Sequence, residues 1–163
     1  MKAALFMGSD SDWPIMKPAV EFLKEFGIEV DVIVASAHRT PAKVHEYAEN
    51  ARENGVGVII AAAGAAAHLA GVIASYTTLP VIGVPINATP LNGLDALLST
   101  VQMPSGIPVA TMAVNGAKNA AVFALEIFGA GDAAVAKQLE GYREKLREGV
   151  AKKAARVASQ VNQ

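Results

Sequence analysis

The segment Ser36-Ala37-His38-Arg39-Thr40-Pro41 sets an imidazole beside a guanidinium, directly after the apolar run VDVIVA and directly before a helical pattern. Imidazole gives and takes a proton near neutral pH at little cost, because its unperturbed pKa is about 6.5. Two further segments share this setting: GSDSDW, from Gly8 to Trp13, and AGAAAH, from Ala63 to His68. Each leads from an apolar run into a helix start. Helix starts present unpaired amide N–H groups and a favourable dipole, and small residues let a ligand approach the backbone, so a phosphate is the natural occupant. His38 is the candidate proton carrier, since neither a solvated helix face nor an apolar core explains a histidine there.

Other residues of the right type have plainer uses. Serine and aspartate in GSDSDW suit a turn and helix cap ahead of Pro14, and Thr40 reads as a cap ahead of Pro41 rather than as a ligand contact. His45 falls beside Glu46, Glu49 and Arg52 on a polar helix face, where a solvated role is expected. His68, within GAAAHLAG, could cap a helix, bond a backbone carbonyl or touch a ligand, and the sequence leaves all three open. The three histidines sit on different elements without ligand spacing, and there is no cysteine, so neither a metal site nor a thiol nucleophile is expected. Neither G-x-G-x-x-G nor G-x-x-x-x-G-K-[ST] occurs, which points to a ligand smaller than a dinucleotide or nucleoside triphosphate.

The elements that must position these residues follow from hydropathy. AALFM, VDVIVA, VGVIIAAA, PVIGVPI and PVATMAV read as five strands buried on both faces. Between the first two, Ile15, Ala19, Phe22, Leu23 and Phe26 form a helical stripe stopped at Gly27; between the second and third, Val44, Tyr47, Ala48 and Ala51 form another, ended at Gly55. Strand–helix alternation implies a three-layer αβα fold around a five-stranded parallel sheet, with the flavodoxin-like order 2-1-3-4-5. Ligands then bind past the carboxyl ends of the strands, at the reversal between strands 1 and 3. From Val135 to Val157, apolar residues recur at helical spacing in a charged background, giving one long amphipathic helix. A single domain over 1–163 is expected, with an α/β core at 1–130 and a C-terminal helix at 132–160 used in oligomer contacts. With 163 residues, 52% hydrophobic, 18% charged and a net charge of -1, neither a nucleic-acid nor a membrane partner is indicated. The amino terminus MKAALFMGSD carries no signal or anchor pattern, so a cytoplasmic setting is the default.

Taken together, MGSDSDW, SAHRTP, AAHL, LPVIGVP, GLDALLSTVQMPSGIPVAT and AKNAA resemble the bacterial 5-(carboxyamino)imidazole ribonucleotide mutase (PurE) family of purine biosynthesis, over about residues 3 to 128. The resemblance implies a flavodoxin-like fold, an octamer with active sites completed at subunit contacts, and a reaction without cofactor. In that reaction a carboxylate moves from the exocyclic amine to carbon 4 of the imidazole, by way of carbon dioxide. It also implies that His38 is the general acid and base, and that Ser9, Asp12 and Arg39 hold the ribonucleotide. Arg39 can fork onto phosphate oxygens, Ser36 can add a hydroxyl, and Asp12 suits ribose hydroxyls.

This chain departs from the family's GAGGAAHLPG, reading AAGAAAHLAG with alanine at Ala62, Ala65 and Ala70. A left-handed backbone at Ala65 would cost roughly 1–2 kcal/mol. The sister carboxylase, which carries lysine and glycine in place of Arg39 and Thr40, matches less well. A regulatory nucleotide-binding module that has lost catalysis is the reading from another class, and retention of His38 speaks against it.

Overall fold

The computed structural model describes residues 1–161. Strands β1 (Lys2–Met7), β2 (Glu29–Val34), β3 (Val56–Gly64), β4 (Val81–Ile86) and β5 (Ala110–Thr111) form one sheet in the order β2-β1-β3-β4-β5, with every pairing parallel. Helices α1 (Trp13–Glu25), α2 (Pro41–Asn50), α3 (Leu69–Tyr76) and α4 (Leu94–Val101) connect them, followed by α5 (Ala117–Gly129) and α6 (Ala133–Val161). Two compact units divide the chain, Met1–Ala124 and the segment from Leu125 onward. No helix among the described residues is long and apolar enough to cross a membrane.

The predicted order holds, and the reason is burial. From Ala3 to Met7 and throughout β4 every residue is buried, so only strands flanked by neighbours can carry those sequences. Each large side chain removed from water there contributes about 1.5–3 kcal/mol. β2 departs from the expectation of burial on both faces. It is an edge strand, with Val32 43% and Val34 46% exposed. β5 departs as well, since only Ala110 and Thr111 of PVATMAV form a strand. Pro85 of β4 accepts the Asn115 amide at 2.8 Å but has no N–H to return on that side, so the ladder lapses.

The first helix ends at its glycine. After α1, Gly27 takes φ +74, its amide reaches the Lys24 carbonyl at 2.9 Å, and the Ile28 amide reaches the Leu23 carbonyl at 3.1 Å. This left-handed cap satisfies the last carbonyls and folds Ile28 into the core. On α1 the buried face comprises Met16, Ala19, Val20, Phe22 and Leu23, with Ile15 only half-buried.

One polar cluster ties β1, β2 and α2 together. Lys2 Nζ lies 2.8 Å from Asp31 Oδ2, and the Tyr47 hydroxyl donates to the same oxygen at 2.6 Å while its ring stands edge-on to Phe6. The lysine's hydrogen bond, and then the tyrosine's, hold the Asp31 carboxyl below its ordinary 3.8; burial and this carboxylate push the Tyr47 phenol up. A carboxylate with a lowered native pKa stabilises the fold above pH 3.8, and that stabilisation is lost as pH falls through the native value. Tyr47→Phe, which keeps the ring, should lower the unfolding free energy at pH 7 by about 1 kcal/mol. Urea titrations of both proteins should show the difference shrinking as pH falls below 3.8 and through the lowered native value, because a protonated Asp31 accepts the bond less strongly.

Candidate active site

The loop after β1 is built by its own side chains. Ser9 Oγ accepts from the Ser11 amide at 3.3 Å and Asp12 Oδ2 accepts from the Ser9 amide at 3.1 Å, a reciprocal capping box around a single 3₁₀ turn, Asp10–Asp12. The turn-and-cap role expected of these residues is therefore real, and the same residues also face a cleft. Ser11, not singled out in the sequence, lines it too, its hydroxyl 2.8 Å from Ser9 Oγ. Asp12 is buried. Burial pushes its carboxyl above the ordinary 3.8, opposed by the Ser9 amide and assisted by the Asp10 charge. With a raised native pKa, its stabilising contribution is present below 3.8 and lost as pH rises through the raised value, so a charged Asp12 weakens the fold that holds it.

The loop after β2 closes on itself. Thr40 occupies the position before α2, with Pro41 first in the helix, but its side chain makes no cap hydrogen bond. Instead Thr40 Oγ1 accepts from the Ser36 amide at 2.9 Å and donates to the Ser36 carbonyl at 3.1 Å. The threonine is structural, as expected, and its work is to pinch Ser36–Thr40 into a tight loop. Ser36 Oγ accepts from the Arg39 amide at 3.2 Å, and Arg39 Nη2 reaches across to the Gly8 carbonyl at 3.1 Å. Arg39 thus bridges the first two loops. His38, at the tip, is exposed.

The loop after β3 answers the question left open for His68. It stands immediately before α3 without a side-chain cap, and its Nδ1 lies 3.0 Å from His38 Nε2, with the rings edge to face at 5.1 Å. One nitrogen of the pair carries the shared hydrogen and the other accepts it, so each ring fixes the other's tautomer and orientation. Between strand and helix, Ala65 takes φ +54, the left-handed region, which costs an alanine roughly 1–2 kcal/mol. Ala62 and Ala70 are buried in ordinary strand and helix. Gly64 is required: a Cβ there would come within 2.5 Å of the Ala88 Cβ.

These loops enclose one cleft of about 460 Å³, within the roughly 300–1,000 Å³ typical of small-ligand sites. Ser9, Asp12, Ser36, His38 and Arg39, the five residues singled out from the sequence, all line it. The apolar wall is Ala63, Ala65, Ala66, Leu69 and Ala88, of which Ala88 carried no sequence signal. His45 is elsewhere, paired with Glu49 at 2.8 Å and stacked on Tyr76. Among the described residues no three His, Asp or Glu side chains converge as metal ligands.

Comparison with known proteins gives the chain a family. A family model described as AIR carboxylase matches residues 2–149. The N5-carboxyaminoimidazole ribonucleotide mutase of Thermotoga maritima is 53% identical over 156 residues, covering 96% of this chain and 91% of that protein. Its counterpart in Pyrococcus horikoshii is 55% identical over 153 residues, covering 94% of this chain and 86% of that protein. The crystal structure of Treponema denticola PurE superposes with a TM-score of 0.87 at 28% identity, covering 95% of this chain and 97% of the other. With its loops after β1, β2 and β3 gathered around one cleft and its match running nearly end to end, the chain belongs to the AIR carboxylase family.

Proposed function

We propose that the chain is a mutase converting N5-carboxyaminoimidazole ribonucleotide to 4-carboxy-5-aminoimidazole ribonucleotide in purine biosynthesis. The observation that carries the reading is the position of His38: exposed at the tip of its loop, held by His68, and lining the same cleft as Ser9, Asp12, Ser36 and Arg39. Relatives about half identical along nearly their whole length bear the mutase name.

On this reading the N–C bond to the carboxylate breaks to release carbon dioxide, and His38 delivers a proton to the departing nitrogen. Carbon 4 then attacks the carbon dioxide, and His38 removes the proton from that carbon. The two proton transfers cancel, so no co-reactant is consumed. Holding the released carbon dioxide beside carbon 4 matters, since effective molarities of well-held reactants reach roughly 10⁵ M or more. Arg39 takes the phosphate with charge-assisted bonds, Ser9 and Ser36 add hydroxyls, and Asp12 takes the ribose. A carboxylate kept buried against its own preference is what a ligand-binding role would select. A cytoplasmic setting is part of this reading.

The reading extends to assembly. Along α6, Val135 and Leu139 are buried, but Leu146, Val150 and Val157 are 52%, 65% and 55% exposed. An apolar stripe this long is what copies of a chain bury on one another, and the family resemblance puts their number at eight.

Purified protein given the carboxyamino substrate should form the 4-carboxy isomer, and should leave aminoimidazole ribonucleotide with bicarbonate unconverted on the same timescale; the reverse result would make it a carboxylase. His38→Asn should retain substrate binding in calorimetry while losing about 10²–10⁴-fold in kcat. Arg39→Ala should chiefly raise KM, by about tenfold or more, with a smaller change in kcat. Sedimentation should report the mass of eight chains, and Leu146→Glu should shift it to smaller species, because a charge buried in that stripe is costly.

A further inference from the structure

We propose that Ser99 is a positioning residue that holds the Ala65–Ala67 turn, and through it His68, in the arrangement that meets His38; this rests on the mutase reading of the cleft. Ser99 lies on α4 and does not line the cleft.

The turn cannot hold its shape with its own bonds alone. Ala65 is left-handed, a conformation an L-residue with a Cβ leaves readily when nothing retains it. The turn's internal bonds run between residues two apart, Ala67 N to the Ala65 carbonyl and His68 N to the Ala66 carbonyl, each at 2.9 Å. Such three-residue rings force bent, weak N–H···O geometry. Ala67 is only 1% exposed, so its N–H cannot turn to water for a better acceptor. Ser99 Oγ supplies one at 3.0 Å. The hydroxyl has a single hydrogen and three carbonyls in reach, Asp95 at 2.7 Å and Ala65 and Ala96 at 3.3 Å. The shortest contact takes the hydrogen, back within α4, which leaves a lone pair for the Ala67 amide. Ser99 is therefore an acceptor braced by its own helix.

The closeness of α4 has its own cause. A Cβ on Gly83, in the middle of β4, would lie 2.4 Å from Thr100 Cγ2. Its absence lets the buried Thr100 seat against the strand, and the neighbouring Ser99 is thereby delivered to the turn. The Thr100 hydroxyl, 2.7 Å from the Ala96 carbonyl, also lies 3.4 Å from the Ala67 carbonyl. The consequence reaches the cleft at once. Ala65 and Ala66 form part of its wall, and His68, next after Ala67, carries the nitrogen 3.0 Å from His38 Nε2. Without the acceptor, Ala65 can relax toward the right-handed or extended backbone that alanine prefers, and His68 swings away from its partner.

The test compares Ser99→Ala, Ser99→Thr and Ser99→Cys with the unmutated enzyme, reading steady-state kinetics on the carboxyamino substrate and the imidazole nitrogen signals of His38 and His68 by NMR. Ser99→Ala should lose about 10- to 100-fold in kcat, the scale of a misplaced reacting group, with KM changed by less than about threefold because the other two loops are untouched. Ser99→Thr keeps the hydroxyl acceptor and should stay within about threefold of the unmutated enzyme on both parameters. In Ser99→Ala the nitrogen signals should become those of two separate imidazoles; in Ser99→Thr they should remain those of a hydrogen-bonded pair. Should the alanine variant fail to fold, Ser99→Cys, similar in size but a weak acceptor, should show the same direction of loss. A kcat within about twofold of normal in Ser99→Ala, or in Ser99→Cys where it stands in, together with unchanged imidazole signals, overturns the positioning role. If the unmutated protein converts no substrate, the mutase reading falls, and the imidazole signals alone still decide the part played by Ser99.

Discussion

Met7 lies opposite Val34 on one side and Ala62 on the other, so β1 and β2 end on one line across the sheet and β3 two residues beyond it. That alignment is the constraint from which the cleft follows. Inside the line β1, β3 and β4 are almost wholly buried and their side chains are apolar apart from Lys2; beyond it, amides lose their ladder partners and polar side chains are tolerated. The chain can place chemistry only in the few residues after each strand, at Gly8–Asp12, Ser36–Thr40 and Gly64–His68. Because β1 sits between β2 and β3, the crossovers leave in opposite directions and the three loops gather around one cleft.

Precision at those loops comes from omitting side chains nearby. Gly64 and Gly83 carry none, and each lets another element approach closer than a methyl group would allow. Ala65 does the opposite, keeping a methyl at a left-handed position where glycine would be free of strain. The compensation is local and polar: buried amides and hydroxyls of α4 and the turn satisfy one another. A loop over-determined in this way holds two imidazoles in a fixed register, but its backbone stays put only while its neighbours do.

Much of this was legible in the residues, for identifiable reasons. Continuous apolar runs in β1, β3 and β4 carry the order of the sheet, since nothing but a central parallel strand accommodates them. SAHRTP announced a site because its histidine lacked a structural explanation. What escaped reading depended on contacts distant in sequence. β2 carries Glu29 and Asp31 among its valines, yet its apolar run VIVA reads like a central strand, and its place at the edge exposes Val32 and Val34. The loss of most of β5 turns on which side Pro85 faces. The His68 pairing joins residues 30 apart, and three uses of that histidine were equally consistent with GAAAHLAG. Thr40 looked like a cap because caps are chosen by residue type, whereas its partner, Ser36, was chosen by loop closure.

The proposed chemistry sets a demand that one chain meets only in part. Carbon dioxide released beside carbon 4 must be recaptured before water or diffusion removes it, yet His38 and Arg39 are both exposed in the single chain. In the proposed oligomer, closure comes from neighbouring copies. Leu91, Leu94, Leu98 and Val101 form an exposed apolar row along and just ahead of α4, the helix whose other face bonds the Ala65–Ala67 turn. Covering four such side chains stabilises an interface by several times RT, at about 25 cal/mol for each Å² removed from water. A partner drawn to that row would press on the helix that shapes the cleft wall. On that proposal, burial between copies and exclusion of water from the reaction become the same event, and the uncovered apolar row is the surface a neighbouring copy takes.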